Sequence, residues 1–170
     1  TDISGMFYNA IEFNRNLNSW TVSNVTNLSQ MFMDNDQFDQ PLDNWNLSSA
    51  TNISSMFRGC SEFDQPLNAW NTSPSSTAKI TNMIGVFLNA RKFNQPLDNW
   101  DVSKVTRMDD MFYNAFLFNG DIDNWNVSSV TSMHEMFKNA RVFNRDITGW
   151  QITSLQNISG MFYDALEFNQ

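Results

Sequence analysis

The residues best suited to chemistry are too few to form a catalytic group. His134 is the only histidine and Cys60 the only cysteine. With one imidazole, we expect neither a histidine-based triad nor a multi-histidine metal site. We predict that His134 is an exposed residue and that Cys60 fills space in the core. The sequence also has no glycine-rich phosphate loop and no nucleophile elbow. We therefore predict a protein that is not an enzyme and holds no cofactor.

Acidic residues offer one weak metal site. Asp98 and Asp123 fall at the same place in successive repeats, with Asp121 and Asp101 close by in sequence, and Asp43 takes that place alone. Oxygen-only clusters of this kind can bind Ca²⁺. Because no defined calcium loop is present, a solvated acidic edge is the preferred interpretation. Asp98, Asp121 and Asp123 remain as a weak Ca²⁺ candidate.

Asn-x-Ser/Thr sequences are frequent, as they would be at glycosylation sites. Most of them recur at two places in the repeat, so a repeat rich in Asn and Ser produces them without selection for a sugar. Neighbouring repeats would also bring two such sites to within roughly 5 Å, which is too close for two glycans. The sites are Asn24, Asn27, Asn46, Asn52, Asn71, Asn126 and Asn157.

Composition and charge exclude several classes of function. The formal net charge of −8 disfavours binding to nucleic acid or to anionic lipid. No apolar run approaches the roughly 20 residues of a transmembrane helix. A single cysteine excludes an internal disulfide framework. The chain begins and ends within a repeat, and we interpret it as a fragment of a longer protein.

A 25-residue repeat organises the whole chain. Three aromatic columns share this period, and all three slip by five residues between Trp70 and Phe87. The slip places one insertion in Pro74–Lys79, and we expect Pro74, Ser75, Ser76 and Thr77 to bulge away from the core. Such a loop could equally be a binding site or a neutral insertion. The clearest column is Trp20, Trp45, Trp70, Trp100, Trp125 and Trp150.

Within one repeat the period of the apolar residues changes. Trp20 and Val22 alternate as in a short strand. From Thr26 onward, apolar residues at helical spacing predict a two-turn helix that Thr26 caps. We therefore predict an α/β fold, a curved leucine-rich-repeat-like solenoid of about six to seven 25-residue coils. It would form a single domain over residues 1–170, with a parallel β ladder on its concave side and short helices on its convex side. The helical stripe is Leu28, Met31, Phe32 and Asn35.

The repeat resembles known surface-protein repeats. The segment L-D-N-W-N-L-S-S-A, from Leu42 to Ala50, is similar to the L-x-x-L-x-L segment of leucine-rich repeats. The longer unit F-N-Q-P-L-D-N-W-D-V-S-K-V-T-R-M-D-D-M-F, from Phe93 to Phe112, resembles the BspA-like repeat of bacterial and protist surface proteins. The resemblance implies an extracellular or surface-displayed adhesion module with no catalytic centre.

The polar face of the predicted strands is the candidate binding surface. We expect a non-enzymatic interaction or structural module whose partner is a protein or a neighbouring subunit of an assembly. The alternative is a module that binds carbohydrate, or more remotely ice, through this regular polar array. A third interpretation is that the face only keeps the surface soluble. The candidates are Ser19, Thr21, Asn44, Asn46, Asn99, Asp101, Asn124 and Asn126.

Overall fold

The computed structural model describes residues 1–71 and 79–170. Within these ranges there is no α-helix and no β-strand, and the single regular element is a 3₁₀ helix at Asn68–Asn71. The predicted α/β leucine-rich-repeat solenoid, with a parallel β ladder and convex helices, is therefore wrong. Nor is any helix in the described part of the chain long and apolar enough to cross a membrane. The predicted insertion at 74–79 lies outside the described residues, apart from Lys79.

The repeats stack on one another in a fixed register. One position in each repeat forms an isolated parallel bridge to the same position in the next repeat, and no bridge extends into a strand. The bridged residues are 25 positions apart, except that Asn52 and Asn82 are separated by five more because the insertion lies between them. The bridged column is Asp2, Asn27, Asn52, Asn82, Arg107, Ser132 and Asn157.

In the second half of each repeat, backbone N–H groups donate alternately to the next repeat and to a carbonyl three residues back in the same repeat. Those of Leu28 and Gln30 donate to the carbonyls of Asn52 and Ser54 in the next repeat, at 3.0 and 2.9 Å. The N–H of Met31 instead donates to the carbonyl of Leu28, three residues back, at 3.2 Å. The segment is thus a chain of tight turns, and the repeats satisfy one another's backbone groups where a helix would satisfy its own.

Left-handed residues explain why this segment is not helical. Each repeat has two residues with positive φ, four positions apart, and an L residue in that conformation interrupts a right-handed helix. The second of them is Asn, Asp or Gly in every repeat, the residue types that tolerate this conformation best. The two columns are Gly5, Gln30, Ser55, Gly85, Asp110, Glu135 and Gly160, and Asn9, Asp34, Gly59, Asn89, Asn114, Asn139 and Asp164.

The first half of each repeat is held by side chains as well as by turns. The indole Nε1 of Trp45 donates to the carbonyl of Leu17 in the preceding repeat at 2.9 Å, and every later Trp makes the equivalent bond. The hydroxyl of Thr51 donates to the carbonyl of Thr26 at 3.1 Å. The Thr column therefore links neighbouring repeats and caps no helix.

Two columns of Phe rings form the centre of the core. Neighbouring rings of the first column are 5.5–5.7 Å apart and those of the second 5.8–6.2 Å, between centroids. Within each repeat the two rings stack at 3.8–4.2 Å. The core continues from Phe57 to Phe87, whose ring centroids are 5.6 Å apart. The columns are Phe7, Phe32, Phe57, Phe87, Phe112, Phe137 and Phe162, and Phe13, Phe38, Phe63, Phe93, Phe118, Phe143 and Phe168.

Trp100 provides a test of the Trp column. Its indole is buried, stacks on Trp70 at 5.7 Å and donates to the Leu67 carbonyl. We expect Trp100→Ala to lower the free energy of unfolding by about 3–5 kcal/mol. Trp100→Phe keeps an aromatic ring but leaves the Leu67 carbonyl unpaired, so we expect a loss of about 1–3 kcal/mol. Urea denaturation measures both. Trp20→Ala is the control, because the Trp20 side chain is partly exposed and should matter less.

Asn35 provides a test of the column of small residues. It is fully buried where most other repeats have Ala, and neither its Nδ2 nor its Oδ1 has a hydrogen-bond partner among residues 1–71 and 79–170. Removing an unpaired buried amide should raise the free energy of unfolding, so we expect Asn35→Ala to stabilise the protein by about 1–3 kcal/mol. Cys60→Ala, in the same column, should not stabilise, since the Cys60 thiol has an acceptor. Destabilisation by Asn35→Ala would show that the amide is paired.

Candidate functional site

The structure brings together half of the predicted polar face. Four of the eight candidates line an open depression of about 370 Å³, beside the partly exposed ring of Trp20. Of the other four, Asn99, Asn124 and Asn126 are exposed in later repeats, and Asp101 is half-buried. The four that come together are Ser19, Thr21, Asn44 and Asn46.

Asx turns account for many of the polar residues. The Oδ1 of Asn46 accepts the N–H of Ser48 at 2.8 Å, and the Oδ1 of Asn126 accepts that of Ser128 at 3.2 Å. The same turn occurs at Asn27, Asn52 and Asn157. Asn-x-Ser therefore recurs because the Asn side chain closes a local turn.

Two of the three carboxylates of the weak Ca²⁺ candidate are engaged by different side chains. Asp98 accepts a hydrogen bond from the Nδ2 of Asn68 at 2.9 Å, and Asp121 forms an ion pair with Arg145 at 2.6 Å. Asp123 is exposed. Over residues 1–71 and 79–170, no group of three or more His, Cys, Asp or Glu side chains could hold a metal ion.

Cys60 and His134 make local contacts. The Sγ of Cys60 donates to the carbonyl of Phe32 at 3.0 Å, and burial raises the pKa of this thiol far above its usual value. The thiol therefore stays protonated and is a poor nucleophile. The Nδ1 of His134 lies 2.8 Å from the Oγ of Ser159, which also bonds to Asn157. His134 lies on a turn beside this Asx turn and is half-buried, where an exposed residue was predicted.

A different surface carries the features of an interaction site. We call it the corner ladder: the two residues of each repeat that precede the second Phe column. Backbone bonds tie successive pairs together, such as that from the N–H of Leu117 to the carbonyl of Arg91 at 3.3 Å. The pairs are Ile11–Glu12, Asp36–Gln37, Ser61–Glu62, Arg91–Lys92, Phe116–Leu117, Arg141–Val142 and Leu166–Glu167.

Two arginines flank one aromatic ring on the corner ladder. The guanidinium carbons of Arg91 and Arg141 lie 5.7 and 4.6 Å from the centroid of Phe116, within cation–π range. Within the described ranges, neither guanidinium forms an ion pair with an acidic side chain. Beside the ring, Leu117 is 50% exposed, and in the part of the chain that the structure describes every other exposed large hydrophobic lies at residues 6–20 or 152–166. This cluster is thus the exposed apolar site of the interior repeats.

The charges of the corner ladder are separated along its length. The first three pairs contain three acidic residues and no basic one, and the next three contain three basic residues and no acidic one. At the boundary, Lys92 and Glu62 form an ion pair at 2.5 Å, and this hydrogen bond raises the pKa of Lys92. The acidic half also borders an open depression of about 540 Å³, lined by Ile11, Glu12, Asp36 and Gln37.

Sequence reasoning missed the corner ladder. It assigned binding to the polar face, where the Trp side chains of the interior repeats are buried. The available signal was Phe116–Leu117, two apolar residues where most repeats have polar ones. Exposed Arg and aromatic residues are typical of binding hot spots.

Comparison with known proteins agrees with a repeat protein and corrects the family. The sequence model of a family described as Mycoplasma protein of unknown function, DUF285, matches residues 1–77 and 74–170. The chain belongs to this DUF285 family. The resemblance to BspA-like leucine-rich repeats is therefore wrong, and the leucine-rich-repeat solenoid it implied is not what the structure contains. No curated protein and no solved structure matches the chain.

Proposed function

We propose that the protein is a non-enzymatic interaction module, displayed at a cell surface or held in a larger assembly, that binds its partner through the corner ladder. The observation that carries the proposal is the cluster of Arg91, Phe116 and Arg141 beside the exposed Leu117. An apolar contact flanked by two cations suits a protein surface with carboxylates around an apolar residue.

The cluster is prepared for binding in two respects. An arginine that rests on an aromatic ring has less conformational freedom to lose when it binds, since its plane is already oriented. Among the described residues, Arg91 and Arg141 also have no carboxylate partner to give up, so both guanidinium groups are available for bidentate pairing. The ladder positions both by stacking their repeats on the Phe core, where Phe87 and Phe112 are 5.6 Å apart.

Cross-linking on intact cells tests the proposal. A membrane-impermeant lysine-reactive cross-linker should join the surface-displayed protein to its partner, and we expect the double variant Arg91→Ala/Arg141→Ala to lose most of this adduct. Mass spectrometry of the adduct identifies the partner. The variant retains Phe116 and Lys92, so the apolar contact and the reactive amine are preserved.

The matched control is Asn99→Ala/Asn124→Ala. It removes two exposed side chains of the polar face, which follow Arg91 and Phe116 along the chain. It should leave the adduct unchanged. Loss of the adduct in the control alone would transfer the function to the polar face. An adduct that survives in both variants, or none in the wild type, would contradict the proposal.

Carbohydrate binding is the second candidate, favoured by the depression in which Ser19, Thr21, Asn44 and Asn46 lie beside Trp20. An exposed ring among amide and hydroxyl groups can pack against a sugar and hydrogen-bond to it. A glycan array tests this function, and we expect Ser19→Ala/Asn44→Ala to abolish any signal. A wild-type protein that binds no glycan would exclude it, and an ice-recrystallisation assay tests the remaining use of this face.

A further inference from the structure

The two halves of the corner ladder are complementary to each other in charge and in shape. Glu12, Asp36 and Glu62 make one half acidic, and Arg91, Lys92 and Arg141 make the other basic. The acidic half borders an open depression, whereas the basic half presents the exposed Leu117. Both halves lie on one ladder of the same chain, and among the described residues the Glu62–Lys92 pair is the one ion pair that joins them.

We propose that the partner of the corner ladder is a second copy of this chain, bound antiparallel about a two-fold axis. This inference rests on the proposed function and adds the identity of the partner. In a two-fold pair the same patch is used on both subunits, so each acidic half meets a basic half and every contact occurs twice.

In one register of the two copies, acidic residues of each copy face basic residues of the other. When the axis passes between the Ser61–Glu62 and Arg91–Lys92 pairs, Glu62 faces the partner's Arg91–Lys92 pair. Glu12 then faces the pair that begins with Arg141. Asp36 faces Phe116 and so lies between the two guanidinium groups that flank that ring.

The same register places the apolar groups together. The depression lined by Ile11, Glu12, Asp36 and Gln37 faces Leu117 and Val142 of the other copy. Leu117 would then leave solvent against Ile11, which is also exposed in the single chain. Like charges do not face each other at any of the six pairs involved.

The association is expected to be weak and sensitive to salt. A ladder two residues wide buries less than the roughly 800 Å² per partner of a standard stable complex. Exposed charge pairs contribute little each and are screened by added salt. We expect a reversible dimer that forms at high protein concentration and low ionic strength, with the dissociation constant rising about tenfold or more at high salt.

Sedimentation equilibrium on the 170-residue protein tests the proposal through charge reversal. The variant Arg141→Glu and the variant Glu12→Arg should each be monomeric, since each places like charges opposite one another, at two contacts, in a two-fold pair. Mixed in equal amounts, the two variants should form a heterodimer, because every reversed charge then meets a reversed partner. Circular dichroism and melting temperature establish that both variants are folded.

Each outcome decides the question. A wild-type protein that stays monomeric at low salt and high concentration overturns the antiparallel dimer. Variants that dimerise like the wild type, or that fail to pair when mixed, overturn the register. If self-association is absent but the cell-surface adduct contains another protein and needs Arg91 and Arg141, the proposed function holds and only this inference fails. If that adduct is absent as well, both fail.

Discussion

The whole structure depends on the way alternate backbone groups are satisfied. In the second half of each repeat, N–H groups that donate to the next repeat alternate with N–H groups that close tight turns. Those of Leu28 and Gln30 donate to the next repeat, and that of Met31 closes a turn. A buried N–H without an acceptor is costly, so no repeat could adopt this conformation alone. The bonds between repeats require a fixed register, and that register places each Phe ring over the corresponding ring of its neighbour. The register that pairs the backbone N–H groups with their acceptors is therefore the same register that stacks the aromatic rings.

The sequence was sufficient to predict the columns but not the backbone between them. The residues expected to point inward, such as Leu28, Met31 and Phe32, are fully buried. A stripe with spacings of three and four residues fits both a helix and a series of three-residue turns, so periodicity could not separate them. The residues at the left-handed positions could have done so, because Asn114 and Gly59 stand where a helix would favour neither.

The candidate site was harder to predict because its parts are distant in sequence. Arg91, Phe116 and Arg141 lie in three successive repeats and become neighbours only when those repeats are stacked. The polar residues attracted attention for the opposite reason, since Asn and Ser recur in every repeat. Their recurrence is explained locally by Asx turns, in which Asn46 bonds to the N–H of Ser48. Regular recurrence indicates a role in the repeat, whereas departure from it at Phe116 and Leu117 indicates a role of the individual position.

The uniform interface between repeats has a consequence for how such a chain can change over evolutionary time. Each junction uses the same bonds and the same ring contacts, so duplication or loss of one complete 25-residue unit would recreate an existing junction and leave the core intact. The corner ladder has no such tolerance, because its order of acidic, basic and apolar pairs is specific to position. A unit inserted between Phe116 and Arg141 would separate these two residues while leaving the stacked Phe columns continuous. Descendants of such an array can therefore share one core while differing in length and in the order of charges along the corner.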